Sequence, residues 1–261
     1  MPKPKTILTL REQARQELTR RKRIIPKGFS IPQDFAEFTE HYCTIRSGSE
    51  FVPFKLYPFQ VELAKLIRTY RRVVVFKVRQ MGASEVIAGT MIQDSLLNPG
   101  YSGVVLSIGQ NESSKIAGRI KAMPTGIPNL RWASNSTQEL RPEGGGSVLF
   151  RPSTPYAVRS LPSVTTLFFD EVDYIAKVSE LYAGAAPAQK MAGDQARTIM
   201  VSTMGPEGEL GFLWQMLIMG NDGIDMAQQI QTARKTGFHY WIDSNGWCKI
   251  LLHWKAHPIY S

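Results

Sequence analysis

Val73-Val74-Val75-Phe76-Lys77-Val78-Arg79-Gln80-Met81-Gly82-Ala83-Ser84 is the stretch whose reading decides the fold. Its first four residues are apolar, three of them β-branched, and read as a short strand. Continuous rather than alternating hydrophobicity is what a strand needs when helices cover both faces of its sheet. From Ala83 to Leu97 the pattern turns helical. The turn between them carries two cations, a glycine and a hydroxyl. A strand–loop–helix unit of this kind can receive phosphate on backbone N–H groups and on the helix N-terminus.

Outward from this unit the same rhythm repeats. Short apolar runs occur at Val104-Val105-Leu106, Val148-Leu149-Phe150, Leu167-Phe168-Phe169 and Ile199-Met200-Val201. Helical stretches are expected over residues 59–70, 83–97 and 111–122. Together they predict a doubly wound α/β domain, a mostly parallel central sheet flanked by helices on both faces. Residues 138–151, broken by Pro142-Glu143-Gly144-Gly145-Gly146, read as a hairpin. After Gly205 the rhythm fades into a helix near residues 210–219 and an aromatic tail with Trp241, Trp247 and Trp254. The expected organisation is a basic helical extension over 1–55, a core over 56–220, and a C-terminal subdomain or connector over 221–261.

A chain of 261 residues with 43% hydrophobic content suits one large globular domain and excludes a disordered polymer. No apolar run is long enough to cross a bilayer and the start lacks a signal-peptide pattern, so no membrane partner is expected. Cys43 and Cys248 match no metal spacing and read as reduced structural thiols. The formal charge of +9 favours a polyanionic partner, nucleic acid being the commonest, or serves solubility alone. Part of it lies in Arg20-Arg21-Lys22-Arg23, at the end of a helix expected to start near Leu10. That tract would touch phosphates or be a solvated helix end favoured by the dipole.

Against the usual phosphate-loop pattern G-x-x-x-x-G-K-[ST], Gly82 and Ser84 fit, Ala83 takes the lysine position and Lys77 that of the first glycine. The chemistry needs a cation near the terminal phosphates, a hydroxyl for magnesium and a backbone without bulk. Lys77 or Arg79 supplies the first, Ser84 the second and Gly82 the third, with Gln80 and Ala83 completing the loop. A second constellation, Asp170-Glu171, ends a buried strand. In phosphate-loop enzymes the first acid holds magnesium and the second orients or deprotonates the attacking water. A parallel sheet would bring both motifs to its carboxyl edge. The residues thus predict a nucleoside triphosphatase using ATP and Mg2+, with Glu171 as the catalytic acid/base and Ser84 and Asp170 as metal ligands.

In this order, from Tyr57 to Thr203, the motifs resemble the ATPase domain of the large terminase subunit, which packages DNA into tailed-bacteriophage capsids. Tyr57-Pro58-Phe59-Gln60 looks like the adenine-recognition segment, with Gln60 as the base contact. The loop from Lys77 to Ser84 is similar to the family's variant Walker A, in which the lysine moves to the loop's start. Asp170-Glu171 resembles its Walker B acids, and Val201-Ser202-Thr203 its coupling motif, in which Ser202 and Thr203 sense hydrolysis. Leu106-Ser107-Ile108 is similar to the segment after the family's second strand. Arg159 stands where members carry an arginine that acts on a neighbouring subunit's nucleotide, although Ser160 replaces the usual glycine; a surface arginine near DNA is the alternative. Arg151 is a weaker candidate for that trans role.

The resemblance implies a phosphate-loop fold of the ASCE type and ATP-driven, sequence-independent translocation of double-stranded DNA into a procapsid. Its implied partners are the capsid portal, the small terminase subunit and further copies in a homo-oligomeric ring, with a monomer expected for an isolated domain. The implied location is the host cell cytoplasm. Large terminases also carry a nuclease with clustered acids; from residue 221 onward this chain offers only Asp222, Asp225 and Asp243. The tail His253-Trp254-Lys255-Ala256-His257-Pro258 resembles the connector leading to that nuclease, so an isolated motor domain without nuclease activity is expected. His253 and His257 have helical spacing, but Pro258 follows at once and no third ligand is evident. Two other readings stay open: a helicase-like ATPase, because Asp170-Glu171-Val172-Asp173 reads D-E-x-D, and a basic DNA-binding assembly module whose loop no longer hydrolyses nucleotide.

Overall fold

The structure, a computed structural model, describes residues 29–161 and 163–260. The basic helix expected between Leu10 and Arg23 lies outside the described residues. From residue 29 the chain forms helix α1 (Phe35–Tyr42), started by the Asp34 carboxylate, which accepts from Glu37 N at 2.8 Å. A two-stranded hairpin follows, β1 (Thr44–Ser47) antiparallel to β2 (Glu50–Pro53). Helix α2 (Pro58–Thr69) opens with proline in its first turn, where the missing N–H costs nothing.

The core then alternates strand and helix: β3 (Arg72–Lys77), α3 (Ala83–Leu97), β4 (Ser102–Ser107) and α4 (Gln110–Lys121). Three strands come next, β5 (Trp132–Asn135), β6 (Glu139–Pro142) and β7 (Ser147–Pro152), then the short α5 (Pro155–Arg159). After β8 (Thr166–Asp170), a 3-10 turn leads to α6 (Val178–Ala192) and β9 (Arg197–Ser202). The chain continues through α7 (Phe212–Ile218), α8 (Met226–Thr236), β10 (Phe238–Ile242) and β11 (Cys248–Leu252).

Nine strands form one sheet in the order β10-β11-β3-β9-β8-β4-β7-β6-β5. Pairing is parallel from β11 through β7 and antiparallel only at the two margins. The hairpin expected over residues 138–151 is β6–β7, and its turn fits closely. Gly146 N donates to Ser95 O at 2.7 Å, and a Cβ on Gly146 would stand 2.4 Å from Tyr101 O.

The period-2 alternation of strands explains the two cores. Val73 and Val75 face a cluster holding Phe38, Leu63, Ile87 and Ile116, from α1 to α4. Val74 faces the opposite cluster, with Leu181, Ala185, Leu213 and Ala233 from α6, α7 and α8. Each valine contributes roughly 1.5–3 kcal/mol by burial, so β3 is anchored from both sides and its end is a fixed platform. The flanked, mostly parallel sheet is the one the apolar runs predict.

The segment from residue 221, read from sequence as a subdomain or connector, places β10 and β11 in this same sheet, with β11 beside β3. All five residues of β11 are buried, Lys249 among them. A lysine inside an apolar run disguises a central strand. Among the described residues, no helix is long and apolar enough to cross a membrane.

Candidate functional site

The chain leaves β3 at Lys77, turns, and enters α3 at Ala83. The turn needs left-handed backbone at Gln80 (φ 62°) and Gly82 (φ 66°). At Gly82 glycine is required twice over, because a Cβ would also sit 2.7 Å from Gln60 Nε2. Gln60 itself is 5% exposed. Its Nε2 donates to Met81 O at 3.2 Å and its Oε1 accepts from Tyr57 N at 3.0 Å. One amide N–H and the carbonyl oxygen of Gln60 are thus bonded within the protein, where they support the loop from behind, and Gln60 is not among the residues lining the cleft over it.

Strand β9 lies between β3 and β8, so the acids ending β8 face the loop across one strand. Two direct contacts close that gap. Ser84 Oγ donates to Asp170 Oδ1 at 2.5 Å, and Lys77 Nζ lies 2.8 Å from Glu171 Oε1. Glu171 has left-handed backbone, φ 53° and ψ 49°, an uncommon state for a residue with a Cβ. Its other oxygen accepts from Ser202 Oγ and from Thr203 N, each at 3.2 Å. One carboxylate therefore spans the lysine at the end of β3 and the end of β9.

A chain of contacts continues beyond it. Asp173 N donates to Ser202 Oγ at 3.3 Å, while the Asp173 carboxylate accepts from Gly205 N at 2.5 Å and Leu213 N at 2.8 Å. Tyr174 OH donates to Met204 O at 2.9 Å. Ser202 and Thr203 thus meet the site through Glu171, and the residues after Glu171 grip the start of α7.

Asp170 is buried, which pushes its carboxyl up to about 6; the Ser84 hydrogen bond and Lys77 pull it down, and neighbouring Glu171 adds to the rise. A cation beside it would favour the carboxylate. Among the described residues no group of three or more His, Cys, Asp or Glu converges on a metal-sized site. The pair Ser84–Asp170 offers one hydroxyl and one carboxylate, an all-oxygen donor set of the kind a hard cation takes. His253 and His257 accept backbone N–H groups of Lys255 and Ile259, each at 3.3 Å.

Over the loop lies a cleft of about 970 Å³. Its base includes Lys77, Gln80, Gly82, Ala83, Ser84, Asp170 and Glu171, all brought together as the sequence predicts. Its walls come from the β1–β2 hairpin, through Arg46 and Phe51, and from α4, through Lys115 and Arg119. Arg119 ion-pairs with Glu85, next to Ser84. Sequence reading missed these three cations. Lys115 and Arg119 share a face at i, i+4, but only the packing of α4 beside α3 shows that this face looks onto the loop.

Three predicted residues stand apart. Arg79 is exposed, is not part of the cleft lining and has no partner among the described residues. Arg159 ends α5, which follows β7 and packs against α6, and it is not among the residues lining the cleft. It does not join the loop of its own chain. Arg151, on β7, donates to Gln138 O at 2.9 Å. On the other side of the loop, Tyr260 OH donates to Gln80 Oε1 at 3.3 Å, and the His257 ring packs between Tyr260 and Tyr57 at 4.5 and 4.8 Å.

No protein-family model matches the chain, and no curated protein matches it. Among solved structures it is similar to the large terminase ATPase domain of Thermus phage P74-26, at 18% identity and TM-score 0.51, over 64% of this chain and 71% of that one. It is also similar to the large terminase of bacteriophage HK97, at 13% identity and TM-score 0.57, covering 73% of this chain and 41% of that protein's length. The N-terminal domain of the DNA packaging ATPase of bacteriophage phi29 matches over 74% of this chain and 95% of that one, at 14% identity and TM-score 0.52. The fold of this chain is that of the large terminase ATPase domains.

Proposed function

We propose that a chain with this fold and this site is the ATP-hydrolysing motor domain of a large terminase, driving double-stranded viral DNA into a procapsid. The observation that carries the reading is the double closure across β9, Lys77 to Glu171 and Ser84 to Asp170. A nucleotide's phosphates would lie on the loop, where the N-terminus of α3 and the Lys77 ammonium meet negative charge. Lys77 has three donors and, among the described residues, only Glu171 as a side-chain acceptor, so it can hold a terminal phosphate oxygen. Ser84 and Asp170 would hold Mg2+, whose chemistry here is to neutralise charge developing on the phosphate oxygens.

Glu171 orients the attacking water and takes its proton. Its second oxygen is already bonded to Ser202 and Thr203, so any movement of the carboxylate is felt at the end of β9. From there the Asp173 contacts lead to Gly205 and α7. This supports a coupling role for Ser202 and Thr203. Arg159 does not line the cleft of its own chain and would serve a neighbouring copy in a ring. Arg79, exposed at the loop, is the second cation that could meet the nucleotide. For the helicase-like alternative, the last acid of D-E-x-D, Asp173, accepts from two backbone N–H groups, Gly205 N and Leu213 N. Portal, small terminase subunit and sequence-independent DNA are the partners that follow, in the host cell cytoplasm.

ATPase rates of wild type, Lys77→Ala and Glu171→Ala, measured over rising protein concentration, test this. The expected result is weak basal turnover that increases with concentration and is lost in both variants. No wild-type activity at the highest concentration would favour the inert DNA-binding module. DNA binding should weaken as salt rises, since phosphate contacts release counterions.

A further inference from the structure

We infer that the turn after β11, residues 254–260, is a strap that holds the phosphate loop in its binding shape, with Tyr260 as a positioning residue acting through Gln80. The inference rests on the nucleotide reading of the loop and adds to it the part that keeps the loop formed. Gln80 lines the cleft, yet its backbone is left-handed, at φ 62°, without being glycine. Such a conformation costs free energy and persists only where the surroundings fix it. Three contacts from outside the loop do so. Val78 N donates to Leu252 O at 3.1 Å, Gln60 Nε2 to Met81 O at 3.2 Å, and Tyr260 OH to Gln80 Oε1 at 3.3 Å. Two of these three partners, Leu252 and Tyr260, belong to the end of β11 and the turn that follows it.

The turn is seated firmly enough to serve as a strap. His253 N donates to Gly237 O at 2.8 Å, and a Cβ on Gly237 would collide with the backbone of Ala256. Within the turn, Ala256 N donates to His253 O at 3.0 Å, His257 N to Trp254 O at 2.9 Å and Tyr260 N to His257 O at 3.0 Å. His257 is 7% exposed. Its ring meets Tyr57 edge-on at 4.8 Å and stacks on Tyr260 at 4.5 Å, with 26° between the planes. The Tyr260 hydroxyl is therefore aimed at the loop by a stack anchored on a buried ring. Among the described residues, no other side chain hydrogen-bonds Gln80. Tyr260 is not among the residues lining the cleft, so it acts on a nucleotide through Gln80. At 44% exposure its hydroxyl competes with water, which makes the expected effect modest.

The test joins calorimetric titration of the whole chain, with ADP and with inorganic tripolyphosphate in Mg2+, to amide hydrogen exchange. Tyr260→Phe keeps the ring stack and removes only the hydroxyl. It should weaken both ligands by the same factor, about threefold, as loss of one partly exposed hydrogen bond does. Gln80→Ala should do the same, and the double variant should be no weaker than either single one. Exchange over residues 78–82 should rise in Tyr260→Phe while β3 and α3 stay protected. Wild-type affinity in Tyr260→Phe, or losses that multiply in the double variant, would overturn the inference. So would a loss confined to ADP, which would make Tyr260 a contact of the base, or faster exchange spread over the whole sheet. A wild type that binds neither ligand overturns the nucleotide reading, and the strap then stands or falls on the exchange of residues 78–82.

Discussion

Lys77 and Lys249 lie on neighbouring parallel strands, β3 and β11, both buried and both beside a carboxylate, yet they do opposite work. Lys249 Nζ reaches Leu217 O, Met219 O, Asn221 Oδ1 at 2.9 Å and Asp243 Oδ2 at 3.0 Å. Burial holds its ammonium below the ordinary value, with Asp243 pulling the other way. Every donor is occupied, so the lysine fastens the end of α7 to the sheet. Among the side chains of the described residues Lys77 meets only Glu171, and it borders the open cleft. The number of acceptors around a buried ammonium, more than its depth, separates a fastener from a group kept for a ligand.

The strongest way to break this comparison is Lys249→Met. It leaves Asp243 buried and uncompensated, and is expected to cost about 3–5 kcal/mol in chemical denaturation. Lys77→Met should cost about 1 kcal/mol or less in the same assay, because Glu171 is partly exposed and keeps Ser202 and Thr203. Equal losses would end the distinction. In turnover the order reverses: Lys77→Met is expected to lower ATPase by roughly 10²–10³-fold, as loss of a charge-stabilising donor does. Lys249→Met, assayed at a temperature where it is folded, should stay within about threefold of wild type, a difference under about 1 kcal/mol.

A smaller effect sharpens the same contrast at Asp170. Its folded-state value of about 6 is above the ordinary 3.8, so the folded protein holds a proton that the unfolded chain releases. In metal-free protein that contribution to stability is full below pH 3.8, falls as pH rises to 6, and is flat beyond. Asp170→Asn lacks the titration. Its stability relative to wild type should rise by roughly 2–3 kcal/mol between pH 4 and pH 7 in EDTA, read from denaturation midpoints. A pH-independent difference would show that Asp170 is not strained by burial.

Much of the fold was legible because central parallel strands must be apolar on both faces, and Val73, Val74 and Val75 advertise that directly. The acids at the end of β8 were legible for a related reason: two charges after an apolar run need an open sheet edge. What was hidden depends on tertiary placement. β11 was obscured by Lys249, whose hydrogen-bond acceptors lie up to 32 positions away in sequence. The identity of Gln60 says nothing about the Met81 carbonyl that takes one of its amide hydrogens. Arg46, Lys115 and Arg119 carry no signature at all until the hairpin and α4 are set beside the loop.

The position of β11 has a further consequence, for how the chain is made. Both neighbours of β3 come later in the sequence, β9 at Arg197–Ser202 and β11 at Cys248–Leu252. During synthesis from the N-terminus, the strand that carries the phosphate loop is therefore an unpaired apolar edge until nearly the whole domain has left the ribosome. Such edges recruit other chains. Any expression fragment that stops before Cys248 would leave the Val73–Lys77 edge permanently open, and aggregation, rather than lost activity, would be its first symptom.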